Sequence, residues 1–348
     1  MRNKKRFTLT LVVLTIALLC CVVIASTFGT IHVPALDILK MSLNKTALFH
    51  FEPTWTETHE TIIFTIRLPR VLAGALVGAA LSTTGVLFQG LLRNPMADPY
   101  IIGTSAGAAL GATIAMILPI TITFFSFGLV PIFAFFGALV TVLIVYNVAR
   151  VGSRTPVISM LLAGFAISSL LAATMTLLMS INERLQLQLQ QVFKFLMGSI
   201  SNVTWEKLAI VFPLVIVGVL IAQLFARHLN ALSLGEEGAG HLGINTEKEK
   251  LIFLGLGSLL TATAVSISGL VGFVGLITPH AMRLVIGPDN RLLLPASALG
   301  GAIFLIIADL AARTILSPSE LPVGALTAII GAPFFIYLLR RSKKEYTF

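Results

Sequence analysis

Three arginines and one aspartate are the residues of this sequence best placed to do polar chemistry within an apolar chain. Arg67 and Arg70 stand in "RLPR" at the start of one long apolar run, and Arg313 closes another in "ADLAAR", four residues after Asp309. A guanidinium presents a planar fork of donors, so three on one outer rim can pair bidentately with carboxylates of an external partner. The same side chains can instead snorkel to lipid headgroups. Asp309 precedes Arg313 by one helical turn, the order in which an acid–base pair supports its own helix, and this spacing favours a structural pair. A carrier driven by an ion gradient would need such an intramembrane charge for its coupling ion, and Asp309 is the main candidate. No G-x-x-x-x-G-K-[ST] loop is present to cradle ATP phosphates, and "HETII" from His59 lacks the second histidine of H-E-x-x-H. Cys20 and Cys21 are neighbours that point apart on a helix and have no C-x-x-C spacing. The expectation is therefore no enzyme, no catalytic set, no metal site and no cofactor bound by this chain.

The elements that must position these residues are membrane helices. Of 348 residues, 56% are hydrophobic and 11% charged, whereas soluble domains carry about 25% charged residues. The net charge of +9 does not point to nucleic acid, because the basic residues sit at the ends of apolar runs, where they set topology. A spanning helix needs about 20 apolar residues. Such runs cover Phe7–Phe28, Leu68–Leu92, Ile101–Ile122, Phe124–Ala149, Val157–Met179, Leu208–Ala226, Leu251–Leu270, Leu292–Ala312 and Val323–Leu339. A shorter one, Val271–Ile286, is broken by glycine and proline. The first run follows "MRNKKRF" and lacks a small-x-small cleavage site, so it reads as an uncleaved span. Arg2, Lys4, Lys5 and Arg6 at one terminus and Arg340, Arg341, Lys343 and Lys344 at the other put both ends in the cytoplasm. That requires an even number of spans, and counting the short run gives an all-α polytopic protein with ten.

One phrase is written twice. "FQGLLRNPMA" from Phe88 returns as "FVGLITPHAM" from Phe273, with Gly85 and Gly269 ahead of the two copies. This alignment sets span two against span seven, five spans apart and hence oppositely oriented, which is the inverted-repeat design of many transporters. Small residues at Gly74-x-x-x-Gly78 and Gly103-x-x-x-Gly107-x-x-x-Gly111 allow close backbone approach. They serve ordinary packing or a tight interface that slides.

Two polar segments interrupt the spans. The inner loop Ala226–Lys250 suggests a short helix capped by Ser233 with Glu236 as its capping-box partner, a turn at Gly240 and Gly243, and Asn245 or Thr246 capping span seven. It reads as a dock for a soluble partner or as a plain surface linker. Between spans five and six, Asn182–Trp205 alternates Leu and Gln. A lone strand there would have no pairing partner, so a short amphipathic outer helix is expected, for gating, docking or surface packing.

The stretches "RLPRVLAGALVGAALSTTGVLFQGLLRNPMADPYIIGTSAGA", "SLGEEGAGHLG", "GLVGFVGLITPHAMRLVIGPDNRLLLPASALGGAIFLIIADLAAR" and "ELPVGALTAIIGAPFFIYLL" resemble the FecCD-type permeases. These are the membrane subunits of ABC importers for ferric siderophores, haem and vitamin B12, and the match covers about residues 60 to 340. The resemblance implies a multi-pass protein of the bacterial plasma (inner) membrane, a single permease domain over residues 1–348. Its parts would be a first helix at 7–28, a first repeat (helices two to five) at 60–180, helix six at 206–228, a coupling loop at 229–249 and a second repeat (helices seven to ten) at 250–341. It implies a pathway formed with a second copy or a paralogous permease, two cytoplasmic ATPase subunits carrying ATP and Mg, an extracytoplasmic binding protein and a metal-chelate substrate. Ferric siderophore is the first expectation and haem or cobalamin the next. By the same resemblance Arg67, Arg70 and Arg313 would meet glutamates of the binding protein. Asn94 and Met96 would form the inner constriction, and Leu234, Gly235, Glu236, Glu237, Gly240, His241 and Gly243 would couple to the ATPase. The segment Thr30–Glu60 and the tail after Arg341 carry no signature and are assigned no role.

Overall fold

A computed structural model describes residues 2–29, 31–45, 51–120, 122–124 and 126–343. Lys344, and the side chains of Arg2, Lys4, Lys5, Arg6, Arg341 and Lys343 on which the sequence-based orientation leans, lie outside what it describes. The described residues form helices and no strand: α1 (Arg2–Thr27), α2 (Ala35–Asn44), α3 (Glu57–Thr61), α4 (Leu68–Leu91), α5 (Thr104–Ile117), α6 (Leu129–Ala149), α7 (Val157–Ile181) and α8 (Glu183–Leu187). There follow α9 (Leu189–Leu196), α10 (Trp205–Leu224), α11 (Ala226–Leu232), α12 (Glu236–His241), α13 (Thr246–Ser268), α14 (Val274–Ile286), α15 (Asn290–Thr314) and α16 (Val323–Lys343). Seven helical stretches among the described residues are long and apolar enough to cross a bilayer; α5, α14 and Val323–Tyr337 of α16 are apolar but shorter.

Helix α4 is the axis of the bundle, buried along most of its length. It continues from α3 through a π-helical turn, Ile62–Arg67. Pro69 explains the widening: it has no N–H for the carbonyl of Thr65, and its ring crowds that carbonyl. Small residues then let neighbours reach the α4 backbone. A Cβ on Gly78 would stand 2.1 Å from the carbonyl oxygen of Gly301 in α15, and one on Gly85 would stand 1.8 Å from that of Gly275 in α14. In the same way Gly107 and Gly111 of α5 lie against the carbonyls of Gly137 and Phe133 in α6. Of the small-residue motifs, Gly78, Gly107 and Gly111 make these approaches. Gly74 makes ordinary contact, and Gly103 has φ +87° and starts α5.

The element order repeats. A long helix, a break and a short apolar helix occur as α4–α5 and as α13–α14, each followed by two more helices. The packing crosses over as well: α4 lies on α14 and α15, while α13 lies on α6 and α5. The repeated phrase itself occupies unequal places. Its first copy closes α4, whereas the second opens α14. The glycines ahead of the two copies differ too, Gly85 serving contact inside a helix and Gly269 (φ +63°) ending one. The span expected over Ile101–Ile122 is the shorter α5, because the chain leaves the turn after α4 only at Gly103.

Segment 31–60, for which the sequence suggested nothing, contains α2, whose Ile38 and Met41 bury against Val33, Trp55 and Ile63. The Leu/Gln segment is helical, as α8 and α9.

Candidate functional site

At the end of the bundle that carries α9, the N-terminus of α4 and the C-terminus of α15 bring Arg67, Arg70 and Arg313 together. All three are buried. Arg70 donates from Nε to both oxygens of Asp309 at 3.0 Å and from Nη2 to Oδ1 at 2.9 Å, while its Nη1 meets Glu320 at 2.8 Å. Arg313 Nε stands 3.5 Å from Asp309 Oδ2, and its Nη2 donates to the Ala25 carbonyl at 2.6 Å. Arg67 donates to the carbonyls of Ser26 and Thr27 at 2.9 and 3.1 Å and to that of Ile31. Asp309 thus serves two arginines, and its tighter partner is on another helix, 239 residues away. The i, i+4 spacing to Arg313 pointed to the weaker contact. Glu320 completes the cluster without any local pattern to announce it. The three arginines and Glu320 line a cavity of about 250 Å³ together with Gly29, Ile31, Ile62 and Ile66, and Asp309 is buried outside its lining, so the cluster sets three guanidinium groups against two carboxylates. The surplus is one positive charge beside a partly exposed Glu320, a setting that suits an added carboxylate.

At the opposite end, the break after α4 holds Asn94 and Met96, both half-buried. Arg93 takes φ +49°. The Asn94 side chain accepts from the Met96 N–H at 2.9 Å, an Asx turn that fixes the break. Just above, Arg283 of α14 donates to Gln89 Oε1 at 3.0 Å. Tyr100 clamps the far side of the break, its hydroxyl donating to the Val271 carbonyl and accepting from the Val271 N–H, both at 3.1 Å. Gln89, Arg283 and Tyr100 gave no sequence signal beyond their place inside the quoted stretches.

Beside this break lies the α11–α12 loop. Leu229 of α11 packs where Gly90 has no side chain, and Arg93 Nη1 comes within 3.4 Å of a Cβ placed on Gly235. Leu234 and Leu242 flank α12 and are 72% and 63% exposed, with Glu237, Gly240 and His241 also at the surface. Ala239 anchors the helix from beneath. The expected Ser233 cap does not form: its hydroxyl turns back to the Asn230 carbonyl at 2.6 Å, and α12 begins instead at Gly235, φ +108°. A residue in that conformation swings the chain away from Ser233, so the capping-box geometry is lost. Glu236 is held by Lys250 Nζ at 2.8 Å. The buried Lys250 also meets Glu247 at 2.8 Å and the Thr155 carbonyl at 3.0 Å, joining α12, α13 and the α6–α7 turn. Gly243 (φ +77°) makes the turn before Asn245, which caps α13 by accepting from the Lys248 N–H at 3.1 Å. Nearby Asp289 caps α15, accepts from Asn230 at 2.7 Å and binds Arg291. The hydrogen bond from Arg291 is the main reason its carboxyl titrates at about 2, outweighing burial.

The sequence model of the FecCD transport family matches residues 15–341. A cobalamin import system permease from Halobacterium salinarum is 45% identical over 82% of this chain and 74% of its own length. A hemin transport system permease from Yersinia pestis is 39% identical over 85% of this chain and 89% of its own. Among solved structures, an inward-facing metal-chelate type ABC transporter superposes with a TM-score of 0.80 at 31% identity, covering 95% of this chain and 98% of that one.

Proposed function

The chain belongs to the FecCD transport family, and from that premise we propose that it is the pathway-forming permease of an ATP-driven importer for metal chelates in the bacterial plasma membrane. It crosses the membrane ten times, the three short apolar helices completing the spans, with both termini and α12 in the cytoplasm and α9 outside. Two such chains, alike or paralogous, enclose the pathway. Separate ATPase subunits seat against α12 and a binding protein docks at the α9 end.

The observation that carries this reading is the union of an exposed apolar knob with the break in α4. Leu234 and Leu242 project on either side of an α12 tied down by the Lys250–Glu236 ion pair, and α11 rests on Gly90, four residues before Asn94. A push on α12 therefore reaches the turn containing Asn94 and Met96 through packed atoms. When ATP closes the ATPase pair, this turn and the Arg283–Gln89 contact shift and the inner constriction changes width. At the other end, carboxylates of the binding protein complete the surplus charge beside Arg70, Arg67 and Arg313. Their burial makes them a fixed electropositive floor for that partner.

Asp309 is fully engaged by two arginines, which leaves it unsuited to cycle a coupling ion and disfavours a secondary carrier. For the cargo, ferric siderophore is the first choice. Haem or cobalamin is the second reading, favoured by the hemin and cobalamin permeases among the relatives. Radiolabelled uptake in cells lacking this chain decides. Restored ferric-siderophore uptake that excess haem and cobalamin leave unchanged supports the first reading, and competition by either supports the second. Uptake indifferent to the presence of the chain contradicts both.

A further inference from the structure

Two adjoining cavities at the α9 end share lining residues with each other and none with the cavity of the arginine cluster. Between α6 and α10, backed by α13, lies an apolar cavity of about 450 Å³ walled by residues such as Phe127, Phe135, Phe136 and Leu214. Pro131 and Ser266 are shared with a second cavity of about 550 Å³, which carries Lys194, Lys207 and Ser201. The greasy compartment opens between helices whose flanking side chains, Phe136 and Val140 on α6 and Phe212 and Val217 on α10, are exposed on the protein surface. In a bilayer those faces meet hydrocarbon, and an apolar crevice there offers water no hydrogen-bond partners.

The second compartment has the opposite character. Lys207 Nζ donates to the Asn202 carbonyl at 2.7 Å, and an ammonium has three donors, so two remain. No carboxylate lies within ion-pair distance of Lys194 or Lys207 among the described residues. The nearby acids are engaged elsewhere, Glu206 by the Ser126 hydroxyl and Glu320 by Arg70. Trp205, whose indole donates to the Phe64 carbonyl at 2.6 Å, marks the level at which amphipathic rings sit in a membrane. An apolar slot within the bilayer thus runs directly into two ammonium groups that lack an ion-pair partner among the described residues, at the headgroup level.

We propose that the joined cavities are a binding site for an anionic phospholipid, with an acyl chain between α6 and α10 and the phosphate on Lys207 and Lys194. Bound there, the lipid touches α6, α10 and α13 together and braces the seam at which the two repeats cross.

Native mass spectrometry of the delipidated full-length chain, titrated with phosphatidylglycerol or with phosphatidylcholine of the same acyl chains, tests this. The wild type should bind phosphatidylglycerol about thirtyfold more tightly, the scale expected of two interfacial lysines. Lys194→Gln with Lys207→Gln should abolish the preference, and Lys194→Gln alone, on the exposed face of α9, should lower it about fivefold. Leu214→Trp, which fills the slot, should weaken both lipids. Unchanged melting of the lipid-free variants shows that folding is not the cause. Equal affinity of the wild type for the two lipids, phosphatidylglycerol binding unaltered in the lysine variants, or displacement of the lipid by glycerol phosphate alone overturns the proposal. The readout uses neither ATPase nor cargo, so its failure is separable from that of the transport reading.

Discussion

Arg70 illustrates how a single side chain can be structural and still shape a functional surface. It is the principal partner of Asp309, and both are buried. Truncating one member of such a pair strands the other charge, typically at a cost of about 3–5 kcal/mol. Arg70→Ala should therefore lower the melting temperature of the purified chain sharply. Asp309→Asn should also destabilise it while leaving whatever uptake survives dependent on ATP. Uptake that instead becomes insensitive to a proton or sodium gradient in Asp309→Asn, having followed one in the wild type, would argue for ion coupling. Asp289 behaves differently because it is near the surface. Its native pKa of about 2 lies below the ordinary carboxylate value of about 3.9. Its ionised form therefore stabilises the fold fully above about pH 4, and that contribution fades as pH falls toward 2. Melting curves of the wild type and Asp289→Asn should differ at neutral pH and converge over that window. A gap that persists at pH 2 would mean that the charge is not what the helix uses.

Elements here are fixed by what is missing from them. Where α4 meets α15, the Gly78 and Gly301 backbones touch, and a methyl on Gly78 would fall on a carbonyl oxygen rather than on a flexible side chain. Gly78→Ala should force the helices apart, costing about 1–3 kcal/mol or more, whereas Gly240→Ala, which meets nothing within 4 Å, should melt like the wild type. Comparable melting of the two variants would contradict this packing. The helix α12 makes the complementary case. Leu234→Asp with Leu242→Asp changes exposed side chains, so stability should move by no more than about 0.5 kcal/mol per site. Co-purification with the ATPase should nevertheless be lost. The small-residue spacing of these helices was readable from sequence because a face of glycines has one main physical use in a membrane. The Ser233 cap was misread because capping-box spacing does not reveal that Gly235 adopts a positive φ and redirects the chain.

For the molecule as a whole, hydropathy gave the helical architecture, since a backbone in lipid must satisfy its own hydrogen bonds. The quoted stretches gave the family. What stayed hidden were contacts between residues remote in sequence: Arg70 with Glu320, Lys250 with Thr155, Arg283 with Gln89. No periodicity encodes such pairs, because each is created by two helices meeting. The short apolar helices were hard to place for a related reason, as α5 and α14 start from positive-φ residues inside the bundle rather than at its surface. On the proposed function, motion enters this chain through α12 and leaves as a change in the pathway. The most direct measurement of this is chelate accumulation in proteoliposomes that contain the chain and its ATPase partner, with the binding protein on the α9 side. Accumulation should require ATP and the binding protein and should cease in the Leu234→Asp, Leu242→Asp variant. Accumulation by the chain alone under an ion gradient, or undiminished transport by that variant, would contradict the account.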